Sequence, residues 1–250
     1  MMRSEDTLIG GRNPAVEALR SGVPVRRVLL ADGIDSDRRV QEIRERCEHD
    51  GIEIRVVARR ELDRLTGTGH QGVVVVVPPF TYADEREIVD RAFERAPHLL
   101  LAVDGVTDPR NLGAIVRSAA AFGASGVLLP KRRAAGVTPA VWKASAGALA
   151  RMPLARVTNM ARVLVALAER NVTVVGLSAD GDTTIQQAAD DAGGGPVALV
   201  VGAEGRGLSR LVREKCTVVA SIPMTGTVES LNVSVATGIA LFVLSQRLSG

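Results

Sequence analysis

The stretch "SIPMTGTVESLNVSVATGIALFVL", residues 221–244, leads from a β-rich segment through a polar loop into an apolar run. The β-rich segment ends at Ile222-Pro223, and the apolar run 233–244 is typical of a buried helix. Just before that run, Ser230 and Asn232 can donate and accept hydrogen bonds. These residues predict a polar loop that contacts a ligand where the last helix begins.

Upstream of this stretch, strand-like and helix-like segments alternate. Strands are predicted at 99–104, 126–130, 172–178, 197–202 and 217–222. Helices are predicted near 110–122, 138–149, 159–170, 208–214 and 231–248. This alternation is typical of an α/β domain with a mostly parallel sheet that helices cover on both faces. Ligands bind such sheets beyond the carboxyl ends of the strands, which points to the loops after Asp104, Val201 and Ile222.

The first 80 residues have a pattern of their own. Asn13 is predicted to cap a helix with Pro14 in its first turn, and the valines of GVVVVVP (72–78) are typical of a strand buried on both faces. Pro78-Pro79 then breaks the pattern, and 80–98 has a charged, helical middle. The sequence predicts a small α/β domain over 1–79, a linker over 80–98 and a larger α/β domain over 99–250.

Polar residues follow the strand that ends at Asp104. Asn111 is predicted to cap the helix that Leu112 begins, and Arg117 is long enough to reach back towards the loop end of that helix. Arginine is seldom buried without an anionic or hydrogen-bonding partner. Arg117 is therefore interpreted as a site residue, with a surface arginine on the polar side of the helix as the alternative.

The loop after Val201 is rich in glycine. Gly202, Gly205 and Gly207 follow the order G-x-x-G-x-G, which reverses the dinucleotide-binding fingerprint and is therefore no Rossmann signature. Glycines let the backbone approach a ligand closely, and Glu204 adds a carboxylate to the bend. Together with the apolar side chains of the last loop, this segment predicts a ligand pocket. Those apolar side chains are Ile222, Met224 and Leu231.

Charge and composition narrow the class of ligand. The formal net charge is only +3, but residues 109–168 contain nine Lys or Arg and no Asp or Glu. A window of this length in a chain that is otherwise balanced favours a surface that faces a polyanion over a merely solvated face. Aromatic residues make up 2% of the chain, so base stacking on aromatic side chains is not expected to drive nucleic-acid binding.

Several other classes of function are not expected. Cys47 and Cys216 lack metal-ligand spacing, and no histidine lies in the three loops, so neither a metal site nor a covalent catalyst is predicted. No apolar run approaches the length of a membrane span, and the start MMRSEDT has no signal-like apolar region. The sequence predicts a soluble, cytoplasmic protein whose chemistry depends on positioning.

Three segments resemble, in order, motifs 1, 2 and 3 of the SpoU/TrmH family of RNA ribose 2′-O-methyltransferases. They are NLGAIVRSA (111–119), GAEGRGL (202–208) and IPMTGTVESLNVSVA (222–236). At the front, GRNPAVEAL (11–19) and GHQGVVVVV (69–77) resemble the ribosomal-protein-like RNA-binding domain of the branch that modifies bacterial 23S rRNA. The resemblance implies a trefoil-knotted SPOUT domain, S-adenosylmethionine as the cofactor and a homodimer formed through the knotted domain.

The resemblance also implies roles for individual residues. Arg117 would activate or orient the 2′-hydroxyl of the target ribose. The residues that would position cofactor and ribose are Asn111, Glu204, Ser230 and Asn232. The residues that would contact the cofactor are Gly202, Ile222 and Leu231, with Met224 and Gly207 beside them. From the charge pattern, the residues predicted to contact RNA are Lys131, Arg132, Arg133 and Arg110.

The resemblance leaves the substrate open. The favoured prediction is 2′-O-methylation of a guanosine ribose in 23S rRNA or its precursor. Alternatives are another rRNA nucleotide, as in antibiotic-resistance methyltransferases, or tRNA, although the tRNA enzymes of this family generally lack the front domain. A non-catalytic RNA-binding or ribosome-assembly protein is the alternative from another class, and the intact Arg117, Ser230 and Asn232 weigh against it.

Overall fold

The computed structural model describes residues 6–94, 97–228 and 230–248. In chain order, its strands and helices are β1 (Thr7–Gly10), α1 (Arg12–Arg20), β2 (Arg27–Ala31), α2 (Arg38–His49), β3 (Glu53–Val57), α3 (Arg59–Thr66), β4 (Val73–Val77), α4 (Glu85–Glu94), β5 (Leu99–Asp104), α5 (Pro109–Ala121), β6 (Val127–Pro130), α6 (Pro139–Ser145), β7 (Leu154–Val157), α7 (Met160–Glu169), β8 (Thr173–Leu177), β9 (Thr183–Thr184), α8 (Ile185–Asp191), β10 (Val197–Gly202), α9 (Arg210–Arg213), β11 (Val218–Ser221) and α10 (Val233–Leu248).

The described residues divide into two compact units. The first takes its residues from Met1–Thr81 and Thr138–Ala150, and the second from Tyr82–Val137 and Arg151–Gly250. The segment 138–150, which the sequence assigned to the larger domain, thus lies with the first unit. The domain limits themselves stay a prediction.

The first unit is built on a four-stranded sheet in the order β1-β4-β2-β3. β4 consists of five valines, and all five are buried. Leu62 of α3 packs with Val74 and Val76 in one apolar cluster, while the alternate valines of β4 point to the other face of the sheet. The predicted strand buried on both faces is therefore confirmed.

The start of α1 differs from the prediction. The helix begins at Arg12, so Asn13 lies inside it and does not cap it. Gly11 holds the N-cap position at φ 112°, a backbone conformation that favours glycine, and no side chain caps this helix. The expected cap at Asn13 is wrong because Gly11 already turns the chain into the helix.

The second unit contains a seven-stranded sheet in the order β7-β6-β5-β10-β8-β11-β9, and all its neighbouring pairs are parallel. β10 lies between β5 and β8, with Gly202 opposite Asp104. Parallel strands bring their carboxyl ends to one edge of the sheet. The loops after β5, β8, β10 and β11 therefore emerge together, and the predicted α/β class with a parallel sheet is confirmed.

Helices cover both faces of this sheet. On one face, α4, α7 and α9 contribute to a core in which Ile88, Leu164 and Val212 pack against strand residues. Elsewhere α10 packs on α5, α8 and β10. The predicted linker 80–98 thus contains α4, a helix of the second unit's core. Of the helices that the structure describes, none is long and apolar enough to cross a membrane.

Three short strands were not predicted, namely β1, β7 and β9. β7 shows the reason: its sequence LARV contains Ala and Arg, which are not strong strand formers. It forms because it pairs in parallel with β6 over four residues, from Val127–Leu154 to Pro130–Val157. The trefoil knot that the resemblance implies stays a prediction.

Candidate active site

A cavity of about 500 Å³ opens at the carboxyl edge of the second unit's sheet. The loops after β8, β10 and β11 line it, together with the start of α10. Eight residues that the sequence analysis selected are among its lining: Gly202, Glu204, Gly207, Ile222, Met224, Ser230, Leu231 and Asn232. Part of the stretch 221–244 therefore forms one wall of a cavity.

The loop after β10 is a tight backbone turn. Ala203 and Gly207 exchange two backbone hydrogen bonds, of 3.0 and 2.8 Å. A Cβ atom on Gly202 would lie 2.0 Å from the carbonyl carbon of Gly207, so only glycine fits there. Gly205 and Gly207 have positive φ, of 75° and 62°. These glycines are required by the folding of the loop itself.

Asp104 fixes the far side of this loop. Its carboxylate, at the end of β5, accepts a hydrogen bond from the backbone N–H of Ser209 at 2.8 Å. Ser209 is the N-cap residue of α9. This hydrogen bond therefore attaches the segment after the glycine turn to the end of β5.

Asn111, Glu204 and Asn232 form a closed hydrogen-bond network beside the cavity. Asn111 Nδ2 donates to Glu204 Oε2 at 3.1 Å, and Asn232 Nδ2 donates to Glu204 Oε1 at 3.3 Å. Asn232 Nδ2 also lies 3.1 Å from Asn111 Oδ1. The network joins the first turn of α5 to the loops after β10 and β11, so three segments far apart in sequence fix one carboxylate.

The prediction that Asn111 caps α5 is wrong. α5 begins three residues earlier than predicted, at Pro109, and the side chain of Asp108 accepts the capping hydrogen bond from the Arg110 N–H at 2.8 Å. Asn111 lies within the helix and is buried. Because Asp108 caps the helix, the amide of Asn111 is available to Glu204 and Asn232.

The Asn232 side chain also forms hydrogen bonds at the start of α10. Its Oδ1 accepts hydrogen bonds from the backbone N–H of Ser234 at 2.9 Å and from the Ser234 hydroxyl at 2.6 Å. The oxygen of the amide therefore faces the helix and its nitrogen faces the network. This pairing fixes the orientation of the Asn232 side chain.

Arg117 lies apart from the cavity within one chain. It is exposed on α5 and is not among the described residues that line the cavity. On the same helix, Ser118 lies against Gly238 of α10. The sequence correctly located the helix of Arg117, but it did not show that the side chain is exposed and outside the cavity lining.

The predicted RNA-contacting residues are exposed at the same edge of the sheet. Lys131, Arg132 and Arg133 follow the end of β6, and Arg110 lies in the first turn of α5. The backbone N–H of Lys131 donates to the Val157 carbonyl at 2.9 Å, and that of Ala135 donates to Val106 at 2.9 Å. These bonds hold the basic loop 131–133 next to the loop that follows β5.

The structure adds residues that the sequence analysis did not select. Leu177, Ser178 and Ala179 line the cavity from the end of β8, and Arg206 lines it from the glycine turn. The end of β8 was predicted, and the rule that ligands bind beyond strand ends applies to it as well. The missing information was the strand order, which places β8 next to β10.

Neither thiol is suited to nucleophilic catalysis. Burial raises the pKa of the Cys216 thiol to about 11, and burial likewise raises that of Cys47 to about 11. Both thiols are therefore uncharged at neutral pH, whereas the thiolate is the reactive form. Within residues 6–94, 97–228 and 230–248, no group of three or more His, Cys, Asp or Glu could hold a metal ion.

Comparison with known proteins identifies the class. Residues 98–242 match the SpoU rRNA Methylase family, and residues 8–83 match a domain described as RNA 2'-O ribose methyltransferase substrate binding. A Mycobacterium avium (strain 104) protein called an uncharacterized tRNA/rRNA methyltransferase is 50% identical over 99% of this chain and 80% of its own length. The chain belongs to the SpoU methyltransferase family.

Solved structures agree with this assignment. The SpoU methyltransferase AviRb from Streptomyces viridochromogenes, in complex with AdoMet, matches with a TM-score of 0.70 at 29% identity, over 99% of this chain and 92% of AviRb. The Aquifex aeolicus TrmH/SpoU tRNA modifying enzyme matches with a TM-score of 0.55 at 25% identity, over 66% of this chain and 82% of that enzyme. The protein is an RNA methyltransferase that uses S-adenosylmethionine (AdoMet).

The cavity fits this cofactor. Its volume is within the ~300–1,000 Å³ range of small-molecule sites. Nothing lies within 4 Å of the Cβ positions of Gly205 and Gly207, so a ligand has open space beside this turn. Ile222 and Leu231 offer apolar surface for a nucleoside, and the polar groups of Ser178 and Asn232 lie at different parts of the wall.

Proposed function

We propose that this chain methylates the 2′-hydroxyl of a guanosine ribose in 23S rRNA or its precursor, in the cytoplasm. The observation that carries the proposal is the Asn111–Glu204–Asn232 network beside a cavity that fits the cofactor. The family description of residues 8–83 supports a ribose hydroxyl as the acceptor. The choice of guanosine follows from the sequence resemblance.

The extent of the structural matches supports a substrate other than transfer RNA. The match to AviRb covers 99% of this chain, whereas the match to the tRNA modifying enzyme covers 66%. A large part of this chain therefore has no counterpart in that tRNA enzyme. A further domain that binds substrate is consistent with an RNA too large to be recognised by the catalytic domain alone.

The chain's own residues position the reacting groups. When bound, S-adenosylmethionine supplies a methyl group that its sulfonium charge already activates. Both carboxylate oxygens of Glu204 accept amide N–H groups, so the carboxylate is held in place while it keeps lone pairs free for the ribose hydroxyl. Ser230 and Asn232 lie beside it on the cavity wall. This arrangement orients the acceptor and lowers the entropic cost of the reaction.

We propose that Arg117 acts from the partner subunit of a homodimer. A guanidinium stays protonated in proteins, so Arg117 would orient the ribose hydroxyl and its neighbouring phosphate. Within its own chain it lies outside the cavity lining. A second copy of the second unit, packed against α5 and α10, would bring this arginine to a cavity.

An apolar face on α10 supports such a dimer. Val235, Ile239 and Phe242 recur at helical spacing and are 50%, 37% and 51% exposed. Phe242 also stacks edge-on against Phe122, just after the end of α5, with ring centroids 5.8 Å apart. Contiguous exposed apolar surface marks an interaction site, and this one lies next to the helix that carries Arg117.

Methyl-transfer assays test the proposed function. With labelled S-adenosylmethionine, the protein should methylate 23S rRNA, and digestion should yield 2′-O-methylguanosine. Asn232→Ala protein is the control for contaminating activity. Mapping of 2′-O-methyl groups in a strain that lacks the gene should show the same nucleotide unmodified. Methylation confined to tRNA or to another base would contradict the target, and cofactor binding without transfer to any RNA would favour a non-catalytic role.

A further inference from the structure

Gln71 lies on the surface of the first unit in a backbone conformation that glutamine seldom adopts. It is exposed, and its φ of 51° and ψ of 30° fall in the left-handed region. This region costs free energy for a residue that has a Cβ atom, so a glycine would fit the position better. Such strain persists where the surrounding structure imposes it, and it is frequent at functional sites. The strain therefore points to a use for the glutamine side chain.

His70 imposes this conformation from the interior of the unit. Its imidazole is buried, and its Nδ1 accepts the Gly72 N–H at 2.9 Å. Because Nδ1 is the acceptor, Nε2 carries the hydrogen and donates to Asp63 Oδ1 at 3.0 Å. The hydrogen bond between His70 and Gly72 spans Gln71, so it fixes the turn 70–72 around that residue.

Arg12 attaches the same turn to the starts of two helices. Arg12 Nε donates to the Gln71 carbonyl oxygen at 3.2 Å, and Arg12 Nη1 lies 2.9 Å from Asp37 Oδ2. Arg12 is the first residue of α1, and Asp37 caps α2. The backbone of Gln71 is thus held in place, while its side-chain amide has no hydrogen-bond partner among the described residues.

A free carboxamide is suited to an unpaired RNA base. It offers two N–H donors and an oxygen acceptor, and a base edge carries donors and acceptors that can pair with them. Side chains cannot reach such edges in the deep, narrow major groove of an RNA helix, whereas unpaired bases expose them. Since residues 8–83 match the substrate-binding family, RNA is the ligand that this surface is expected to contact.

The charge of this part of the chain favours base recognition over phosphate binding. Residues 1–80 contain 13 Arg and 13 Asp or Glu, and the guanidinium of Arg12 is already paired with Asp37. Phosphate contacts depend on positive charge and carry no sequence information, whereas base contacts specify sequence. A contact through Gln71 should therefore determine which RNA is chosen and should have little effect on salt dependence.

We infer that the side-chain amide of Gln71 recognises an unpaired base of the RNA substrate. Gln71 is the residue in contact with the RNA, and His70 and Arg12 are positioning residues that hold it in the left-handed conformation. This role depends on the RNA methyltransferase activity of the chain and not on the choice of 23S rRNA as the target.

Steady-state transfer kinetics test the role of Gln71. Total RNA from a strain that lacks the gene is separated into 23S rRNA, 16S rRNA and tRNA, and the fraction that the wild-type protein methylates best is the substrate. Gln71→Gly should raise the KM for this fraction about ten-fold, as expected for one lost base contact, and leave kcat unchanged. Inhibition by the other two fractions, and its dependence on salt, should stay as in the wild type.

Thermal unfolding separates recognition from folding. Gln71→Gly relieves the strain of the left-handed backbone, so its melting temperature should equal or exceed that of the wild type. Gln71→Glu keeps the shape of the side chain but loses its N–H donors, and it should also raise the KM. Gln41→Glu adds the same charge at an exposed glutamine of α2 and should behave as wild type.

A second set of variants tests the positioning role of His70. His70→Leu removes the acceptor for the Gly72 N–H and should raise the KM as Gln71→Gly does. Combined with Gln71→Gly, it should cause no further rise, because His70 acts through Gln71. His70→Asn, whose side-chain oxygen can accept the Gly72 N–H, should recover part of the loss. Additive effects in the double variant would overturn the positioning role.

A wild-type KM in folded Gln71→Gly protein would overturn the inference, whichever fraction is the substrate. Weaker binding of all three fractions together with a flatter salt dependence would indicate a phosphate contact and would also overturn it. Transfer to tRNA alone would contradict the proposed 23S rRNA target, but the effect of Gln71→Gly on the KM for tRNA would still decide the role of Gln71. Wild-type protein that methylates none of the fractions would overturn both.

Discussion

At the scale of single residues, Asn111 shows how a neighbour decides what a side chain does. Asparagine is a good helix cap, but Asp108 caps α5 in its place. The buried amide of Asn111 then pairs with Glu204 and Asn232. A residue that is expected to stabilise the end of a helix instead orients a carboxylate beside the cofactor cavity.

Replacement of Arg117 by Ala should abolish transfer and spare cofactor affinity. Removing one group that stabilises or orients the reacting centre costs roughly 100-fold or more in rate, whereas Arg117 is not among the described residues that line the cavity proposed for the cofactor. Transfer assays on rRNA and calorimetric titration with cofactor measure the two effects. Arg162→Ala, an exposed arginine of α7, is the control. Substantial turnover by Arg117→Ala would show that Arg117 is a surface residue with no role in transfer.

At the scale of elements, the turn 203–207 determines the shape of the cavity. Its two backbone hydrogen bonds close it on itself, and the bond from Ser209 to Asp104 attaches it to β5. Glu204 and Arg206 therefore leave the turn in fixed directions. The spacing of the glycines reflects this closure, since Gly202 must admit the backbone of Gly207.

Gly202→Ala should open this turn and weaken cofactor binding at least ten-fold. The added methyl would overlap the backbone of Gly207, and forcing atoms into a packed site costs about 1–3 kcal/mol. Calorimetry gives the affinity, and thermal unfolding shows whether the protein remains folded. Gly69→Ala is the matched control, because nothing lies within 4 Å of its Cβ position. Wild-type affinity in folded Gly202→Ala protein would show that the cofactor does not depend on this turn.

At the scale of the whole molecule, mixed dimers test whether Arg117 acts across subunits. Arg117→Ala and Glu204→Gln proteins should each be inactive alone. After subunit exchange, a mixed dimer would contain one intact site if Arg117 serves the partner's cavity, so activity should recover to roughly a quarter of wild type for statistical pairing. Inactivity of a verified mixed dimer would place Arg117 in its own subunit's site.

The apolar face of α10 provides a control for the same experiment. Ile239→Glu should prevent dimerisation, seen by ultracentrifugation, and with it the recovery of activity. Gln246→Glu adds the same charge to an exposed polar position of that helix and should leave the dimer intact.

The basic loop 131–133 should account for part of the salt dependence of RNA binding. Each phosphate contact contributes about 0.7 to 0.9 to the slope of log affinity against log salt. Replacing all three residues with Ala should flatten that slope by up to roughly two units, for cognate and unrelated RNA alike. Replacing Arg38, Arg39 and Arg44 of α2, a helix that also contains three glutamates, removes equal charge and should change the slope less. An unchanged slope in the loop variant would show that the basic loop 131–133 is a solvated surface that does not contact RNA.

Sequence patterns by themselves determined the elements whose signal is local. β10 spans the predicted 197–202, and α7 and β8 lie within one residue of their predicted limits. The structures of long apolar runs and of glycine-rich turns depend on residues that are close in sequence, so they can be predicted without knowledge of the tertiary structure. Motifs 2 and 3 likewise contain the eight selected residues that line the cavity, because each of these two motifs follows the end of a parallel strand.

Tertiary structure alone decided what depends on strand order and side-chain direction. β7 exists because β6 is there to pair with it, and α4 forms core where the charged sequence predicted a linker. Ser178 lines the cavity because β8 neighbours β10. Arg117 does not line it, because its side chain is exposed on α5. These facts result from contacts between residues distant in sequence, whose partners no local pattern specifies.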